Sequence, residues 1–261
     1  VMIVSPTYDG VVSDIEKIAE IVHAKGCPLI VDEAHGAHFG FDPYFPKSAN
    51  IYGADLVINS LHKTLPALTQ TALLHVNGDM VKRRKVKQYL DMLQTSSPSY
   101  ILMASIDACI GMLEETLETH SDTRSDYKYK NIFSEYANRI EALRKDLKRL
   151  KYLKIIQTDN TDRYDRSKFV ISVKHAPMSS HELYEILLHR YHLQMEMLAG
   201  TYVLAMTTVG DTQEGLERLR DALLEIDKEI DTKQGRPAAI ETDLPLSGRQ
   251  AALEKVWTIA E

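Results

Sequence analysis

The sequence predicts an α/β fold. Three observations lead there: a strand–helix–strand pattern opens the chain, chemically capable side chains stand at the ends of its apolar strand segments, and a polar stretch separates this half from a run of short strands and amphipathic helices. Residues 1–4 read as a strand with no start methionine and no signal-peptide architecture before it, so the chain is expected to begin inside a domain. The cluster Ser5-Pro6-Thr7-Tyr8-Asp9-Gly10 is turn-forming. Ser13 and Glu16 have capping-box spacing, Ile15, Ile18 and Val22 share one helical face, and Gly26 is placed to stop that helix. Pro28 to Val31 then forms an apolar run of buried-strand length ending at Asp32. A third strand over residues 55–60 ends just before His62 and Lys63, and a fourth covers residues 71–76. Ligands of α/β sheets bind beyond the carboxyl ends of the strands, where both Asp32 and Lys63 fall.

From Asp79 the pattern turns helical, with a long apolar-periodic stretch over residues 100–118 and another over 128–150. In the latter, Ile132, Tyr136, Ile140, Leu143, Leu147 and Leu150 trace one stripe against a solvated Lys/Arg/Glu face. The polar run 121–130 marks a boundary. Beyond it come strands over 153–158 and 168–173, a helix capped by Ser179 and Ser180, strands over 193–197 and 202–207, and a helix from 212 to 230. Residues 235–248, with Pro237 and Pro245, read as a linker, and 249–260 as a helix cut short by the chain end. The predicted organisation is a partial large domain over 1–120, a small α+β domain over 121–234, and a linker with a truncated helix over 235–261.

Composition narrows the function classes. At 261 residues, with 44% hydrophobic and 26% charged residues, the chain sits among soluble globular proteins. No apolar run reaches the roughly 20 residues needed to cross a bilayer, and a formal charge of −6 leaves no footprint for wrapping nucleic acid. Cys27 and Cys109 lie far apart without metal-ligand spacing, which argues against a disulfide framework or a structural zinc and fits a reducing cytoplasm.

The informative strings are Asp32-Glu33-Ala34-His35-Gly36-Ala37-His38, then Ser60-Leu61-His62-Lys63-Thr64-Leu65, then Leu68-Thr69-Gln70-Thr71. Together with Ser5-Pro6-Thr7-Tyr8-Asp9-Gly10-Val11 and Gln94-Thr95-Ser96-Ser97-Pro98-Ser99-Tyr100, they closely resemble the bacterial ornithine/lysine/arginine decarboxylases of pyridoxal phosphate (PLP) fold type I. The order holds over about the first 110 residues and continues more loosely through Gly210-Asp211-Thr212.

This resemblance implies the C-terminal part of a PLP fold type I large domain plus a small α+β domain. It implies that Lys63 holds PLP as a Schiff base and that Asp32 pairs with the ring nitrogen, keeping the electron sink protonated. It further implies that Ala34 packs against a ring face, that Ser60 and His62 help hold the phosphate, and that His35 lies against the cofactor. The implied reaction is loss of carbon dioxide from arginine, lysine or ornithine, giving a diamine or agmatine, in a homodimer or higher homo-oligomer with Thr95 to Ser99 facing a neighbouring site. The family's glycine- and serine-rich phosphate cup and its ring-stacking aromatic residue would lie upstream of Val1, so the chain is expected to be part of a longer polypeptide or to rely on another chain.

Other readings share these residues. An aminotransferase of the same fold would carry an arginine on a small-domain strand to clamp the substrate carboxylate, and residues 200–206 carry none. The run Leu29 to His35 also spells a helicase-type acidic box, but no Gly-x-x-x-x-Gly-Lys-Ser/Thr loop accompanies it. Asp32, Glu33, His35 and His38 could form a metal cluster, and an incomplete fragment or inactive assembly homologue is the non-enzyme alternative.

Overall fold

The computed structural model describes residues 1–118, 129, 131–156 and 163–233. The expected linker and final helix therefore lie outside the described residues. Three short strands, β1 (Met2–Val4), β2 (Ile30–Asp32) and β3 (Leu56–Ser60), pair in parallel, with Val4 beside Asp32 and Asp32 beside Ile58. The crossover from β1 to β2 is α1 (Ile15–His23), which buries Ile15, Ala19 and Val22 against Leu29, Val31 and Val57. Its cap differs from expectation by one residue. Asp14 accepts the Lys17 amide, and the Ser13 amide donates to Ser5 Oγ at 3.0 Å, so it is not left for Glu16 as the capping-box spacing suggests.

After β3 the chain makes the single turn α2 (Leu61–Thr64) and returns as β4 (Ala72–Val76), antiparallel to β3 with Ser60 opposite Ala72. A connection this short cannot cross over to a parallel neighbour, which needs a dozen or more residues. The helices α3 (Arg83–Leu93) and α4 (Tyr100–Glu118) follow. The bounds of α4 are those the periodicity predicts.

The second sheet has the order β5-β6-β8-β7 and is antiparallel throughout. It comprises β5 (Lys154–Ile155), β6 (Lys168–Ser172), β7 (Met197–Ala199) and β8 (Tyr202–Met206). The expected strand over 193–197 is displaced toward its C-terminal end, because the left-handed His192 (φ 55°) caps the preceding helix and residues 193–196 serve as the return. Helices α5 (Ile132–Leu147), α6 (Ser180–Tyr191) and α7 (Gln213–Lys233) pack around this sheet. Ser179 and Glu182 form the full capping box at the start of α6. Both oxygens of the buried Asp227 on α7 accept backbone amides, Oδ2 from Lys151 and Oδ1 from Tyr152 and Leu153, and so pin α7 to the start of β5.

The larger of two core clusters joins the sequence on either side of residues 119–128. It combines Phe39, Phe45, Leu61 and Leu65 with Phe133, Tyr136 and Ile140 of α5, Phe169 and Ile171 of β6, and Leu223 and Ile226 of α7. Stacked rings tie the loop after β2 to α5: Phe41 lies 5.0 Å from Phe133, and Phe45 lies 5.3 Å from Tyr136. That loop carries the candidate site.

Candidate active site

Parallel pairing sets Asp32 and Ser60 at the same end of adjacent strands, at the carboxyl edge where α/β sheets bind ligands. Asp32 is half-buried, and its Oδ1 accepts the Ala34 amide at 3.1 Å, which turns the chain away from the sheet and fixes the carboxylate. Ala34 is half-buried behind it. At Gly36 any side chain would collide, since a Cβ there would stand 2.7 Å from Glu33 Cγ and 2.8 Å from Phe39 Cδ2.

Ser60 ends β3 and opens α2 without capping it through its side chain. Two bonds to one carbonyl fix the turn: Thr71 accepts the Leu61 amide at 3.1 Å and His62 Nδ1 at 2.8 Å. Burial of Leu61, Thr64 and Leu65 completes the anchoring and leaves Lys63 half-buried between them. Because Nδ1 of His62 donates to Thr71, its Nε2 can give a hydrogen to a phosphate oxygen only as the imidazolium. Among the described residues no ion pair joins Lys63 to Asp32, and Lys63 Nζ has no hydrogen-bond partner.

Glu33 does not face the same region. Its carboxylate is buried and accepts from Ser48 Oγ at 2.8 Å, the Ala49 amide at 2.7 Å and Asn59 Nδ2 at 3.1 Å, bracing β3 against the segment that precedes it. Burial pushes its carboxyl up, against these bonds. His38 is likewise engaged elsewhere, its Nε2 3.2 Å from Asp165 Oδ1. The acidic-box and metal-cluster readings both require these side chains to converge with Asp32, and they are committed to separate partners.

His35 is buried, its ring 4.4 Å from that of Tyr8 and its Nδ1 3.0 Å from Lys168 Nζ. Burial, reinforced by the charges of Lys168 and Lys63, drives its pKa down to about 3. Asp165 is wholly buried; burial works to raise its pKa, but His38, Lys168 and Ser167 outweigh burial and hold it at about 2. Lys168 and Asp165 carry no local motif, whereas Tyr8 stands in the turn-forming string Ser5 to Val11. The one sequence signal for Lys168 is a lysine opening an otherwise apolar strand. Glu196, whose charge acts on Lys168, lines a cavity of about 260 Å³ together with Asp211, Met195, Met206 and Leu216. Asp32 and Lys63 line neither this cavity nor the one of about 270 Å³ between α1 and Arg163.

The depressed pKa of His35 has a stability consequence. The folded state refuses a proton that the unfolded chain accepts below about 6.5, so stability is full above that value and falls as pH drops toward 3, by roughly 4 kcal/mol at most. Asp165 acts in the same direction between about 4 and 2. In urea unfolding of the full-length protein, the wild-type midpoint is expected to fall between pH 6.5 and 4 more steeply than that of His35→Gln. Parallel curves for the two proteins would refute the assignment.

The fold is that of the PLP fold type I decarboxylases and aminotransferases. The lysine decarboxylase LdcF of Francisella novicida superposes with a TM-score of 0.69 at 17% identity, over 88% of this chain and 36% of that one. An aromatic aminotransferase from Pyrococcus horikoshii OT3 superposes with a TM-score of 0.56 at 18% identity, over 87% of this chain and 59% of that one. Residues 1–196 match the family described as Orn/Lys/Arg decarboxylase, major domain, and the chain belongs to that family. An arginine decarboxylase of Bacillus subtilis (strain 168) is 31% identical over 252 residues, covering 94% of this chain and 48% of the relative. The chain thus spans about half the length of the curated relatives it matches most fully. Among the described residues, no helix is long and apolar enough to cross a membrane.

Proposed function

We propose that this chain contributes the lysine- and carboxylate-bearing part of a PLP-dependent decarboxylase acting on a basic amino acid: arginine, lysine or ornithine. The observation that carries the reading is the pairing at the sheet's carboxyl edge, where a half-buried lysine without a partner among the described residues and a fixed carboxylate lie beyond adjacent parallel strands. The donor set suits PLP: an uncommitted amine for its carbonyl, a carboxylate for its ring nitrogen, and a hydroxyl and an imidazole for its phosphate. When bound, PLP supplies the sink for the electron pair released as the Cα–carboxylate bond breaks.

The chain's own groups then have distinct tasks. Lys63 Nζ holds the cofactor and, once displaced by substrate, carries a proton to Cα. Asp32 keeps the ring nitrogen charged. Ala34 offers a small side chain to the ring, while Ser60 and His62 hold the phosphate. The acid test is carbon dioxide release by the full-length protein supplied with PLP and each basic amino acid in turn. Turnover of one of them is expected, and transamination without carbon dioxide release would favour the aminotransferase reading instead.

A homodimer or higher homo-oligomer belongs to this proposal. No residue of α3 is buried, and the large apolar side chains Tyr89, Met92, Leu93 (84% exposed), Tyr100 (79% exposed) and Ile101 stand exposed on either side of the segment 95–99. Exposed apolar side chains in this number suit an interface, and a second copy of the chain would cover them. Replacing both Leu93 and Ile101 by aspartate in the full-length protein should lower the mass seen by light scattering toward that of the monomer. An unchanged mass would remove these helices from the interface.

A further inference from the structure

Lys168 stands where a lysine is rarely found. It opens β6 between Ser167 and Phe169, and all three are 0% exposed. A buried ammonium persists only when it is paired and hydrogen-bonded. Here Nζ lies 3.0 Å from His35 Nδ1, a contact that joins the second sheet to the loop after β2 across 133 residues of sequence. The opposing charge comes from Asp165, which is held in turn by His38 Nε2 at 3.2 Å and the Ser167 amide at 2.9 Å, and Glu196 adds to it.

Burial lowers the Lys168 pKa and the charges of Asp165 and Glu196 oppose that shift; as an ammonium Nζ can only donate, so Nδ1 of His35 accepts and the hydrogen of the neutral ring sits on Nε2. The groups facing His35 agree. Burial and the charges of Lys168, Lys63 and His38 disfavour a second proton, and Asp165 alone opposes them. Nε2 is itself buried and has no partner among the described residues. The ring is therefore a fixed N–H donor awaiting an acceptor, within the electrostatic reach of Lys63.

We propose that Lys168 is a positioning residue of this site: through its bond to His35 it sets the imidazole as a neutral Nε2–H donor for an anionic oxygen. The acceptor is an oxygen of the cofactor or of the substrate carboxylate, which rests on the proposed function; the protonation pattern does not. His35 in this state cannot serve as a base, so the role of proton carrier falls to Lys63.

The test uses full-length protein labelled with ¹⁵N-histidine, with the His35 signals assigned by their loss in His35→Gln. Without cofactor, the wild type should show His35 neutral with its hydrogen on Nε2 from pH 7 down to about 4. A hydrogen on Nδ1, or a doubly protonated ring at pH 6, overturns the proposal from the wild type alone. In Lys168→Met the His35 pKa should rise by about one unit or more as the neighbouring charge is removed, and in Lys168→Arg it should stay low; an unmoved pKa in a folded Lys168→Met protein also overturns it. Adding PLP, and then PLP with an α-methyl amino acid that cannot turn over, identifies the acceptor by which addition moves the Nε2–H resonance. If neither moves it in protein that has bound both, the donor role fails. Failure to bind PLP at all would sink the proposed function, and the cofactor-free spectrum would still decide the role of Lys168.

Discussion

Replacing Lys63 by alanine is expected to lower carbon dioxide release from the full-length protein by about 10⁴-fold or more, the upper end of what a positioned acid–base group supplies, with the attachment point lost as well. The fold should survive. Lys63 is half-buried without a hydrogen bond or ion pair, its neighbours Leu61, Thr64 and Leu65 carry the packing of the turn, and the Thr71 carbonyl holds that turn through backbone and His62. Alanine is moreover the best helix former for the vacated position. The control for specificity is Lys168, the other lysine whose charge acts on His35. It is fully buried and already committed to His35 Nδ1, so it should not react with an aldehyde. Borohydride reduction of the PLP-loaded wild type, followed by peptide mapping, should place the pyridoxyl mass on the peptide containing Lys63 and leave it absent from the variant. A label on Lys168 would reverse the roles of the two lysines.

What the sequence reveals about this site follows from the range of each interaction. The strand-end positions of Asp32 and Lys63 are legible because strand ends are local features: an apolar run stops, a polar residue follows, and β2 pairs in parallel with β3. The helix α6 is legible for the same reason, since its capping box lies within four residues. The cap of α1 misleads because the Ser13 amide, which a capping box would give to Glu16, is bound by Ser5 in the turn after β1. Glu33 and His38 mislead more instructively. In the string they stand beside Asp32 and invite a shared role, yet Glu33 braces Ser48, Ala49 and Asn59, and His38 binds Asp165, 127 residues away. Adjacent residues in a turn after a strand point in different directions, and only the packing decides where each finds a partner. Lys168 is the extreme case. Its position at the head of an apolar strand reads locally as a solvated edge residue, and its burial results from the contact between the second sheet and the β2 loop.

Changing Asp32 to asparagine is expected to lower kcat by about 10³-fold while the protein continues to bind PLP, a loss corresponding to roughly 4 kcal/mol of barrier. The substitution is nearly isosteric, and the asparagine carbonyl can still accept the Ala34 amide that Asp32 Oδ1 accepts at 3.1 Å, so the turn into the loop is preserved. The negative charge alone is removed. Without it, a proton on the ring nitrogen is no longer favoured by an opposite charge, and the ring accepts the electrons from the breaking Cα–carboxylate bond less readily. The expected pattern differs from that of Lys63→Ala in a diagnostic way: the reduced, pyridoxylated Lys63 peptide should still form in Asp32→Asn, and KM should change little, because the loss falls on the chemical step rather than on attachment or substrate binding. Single-turnover carbon dioxide release measures that step directly. If Asp32→Asn matched the wild type there, the carboxylate beside β3 would have no electronic role, and its place at the end of β2 would be explained by the Ala34 turn alone.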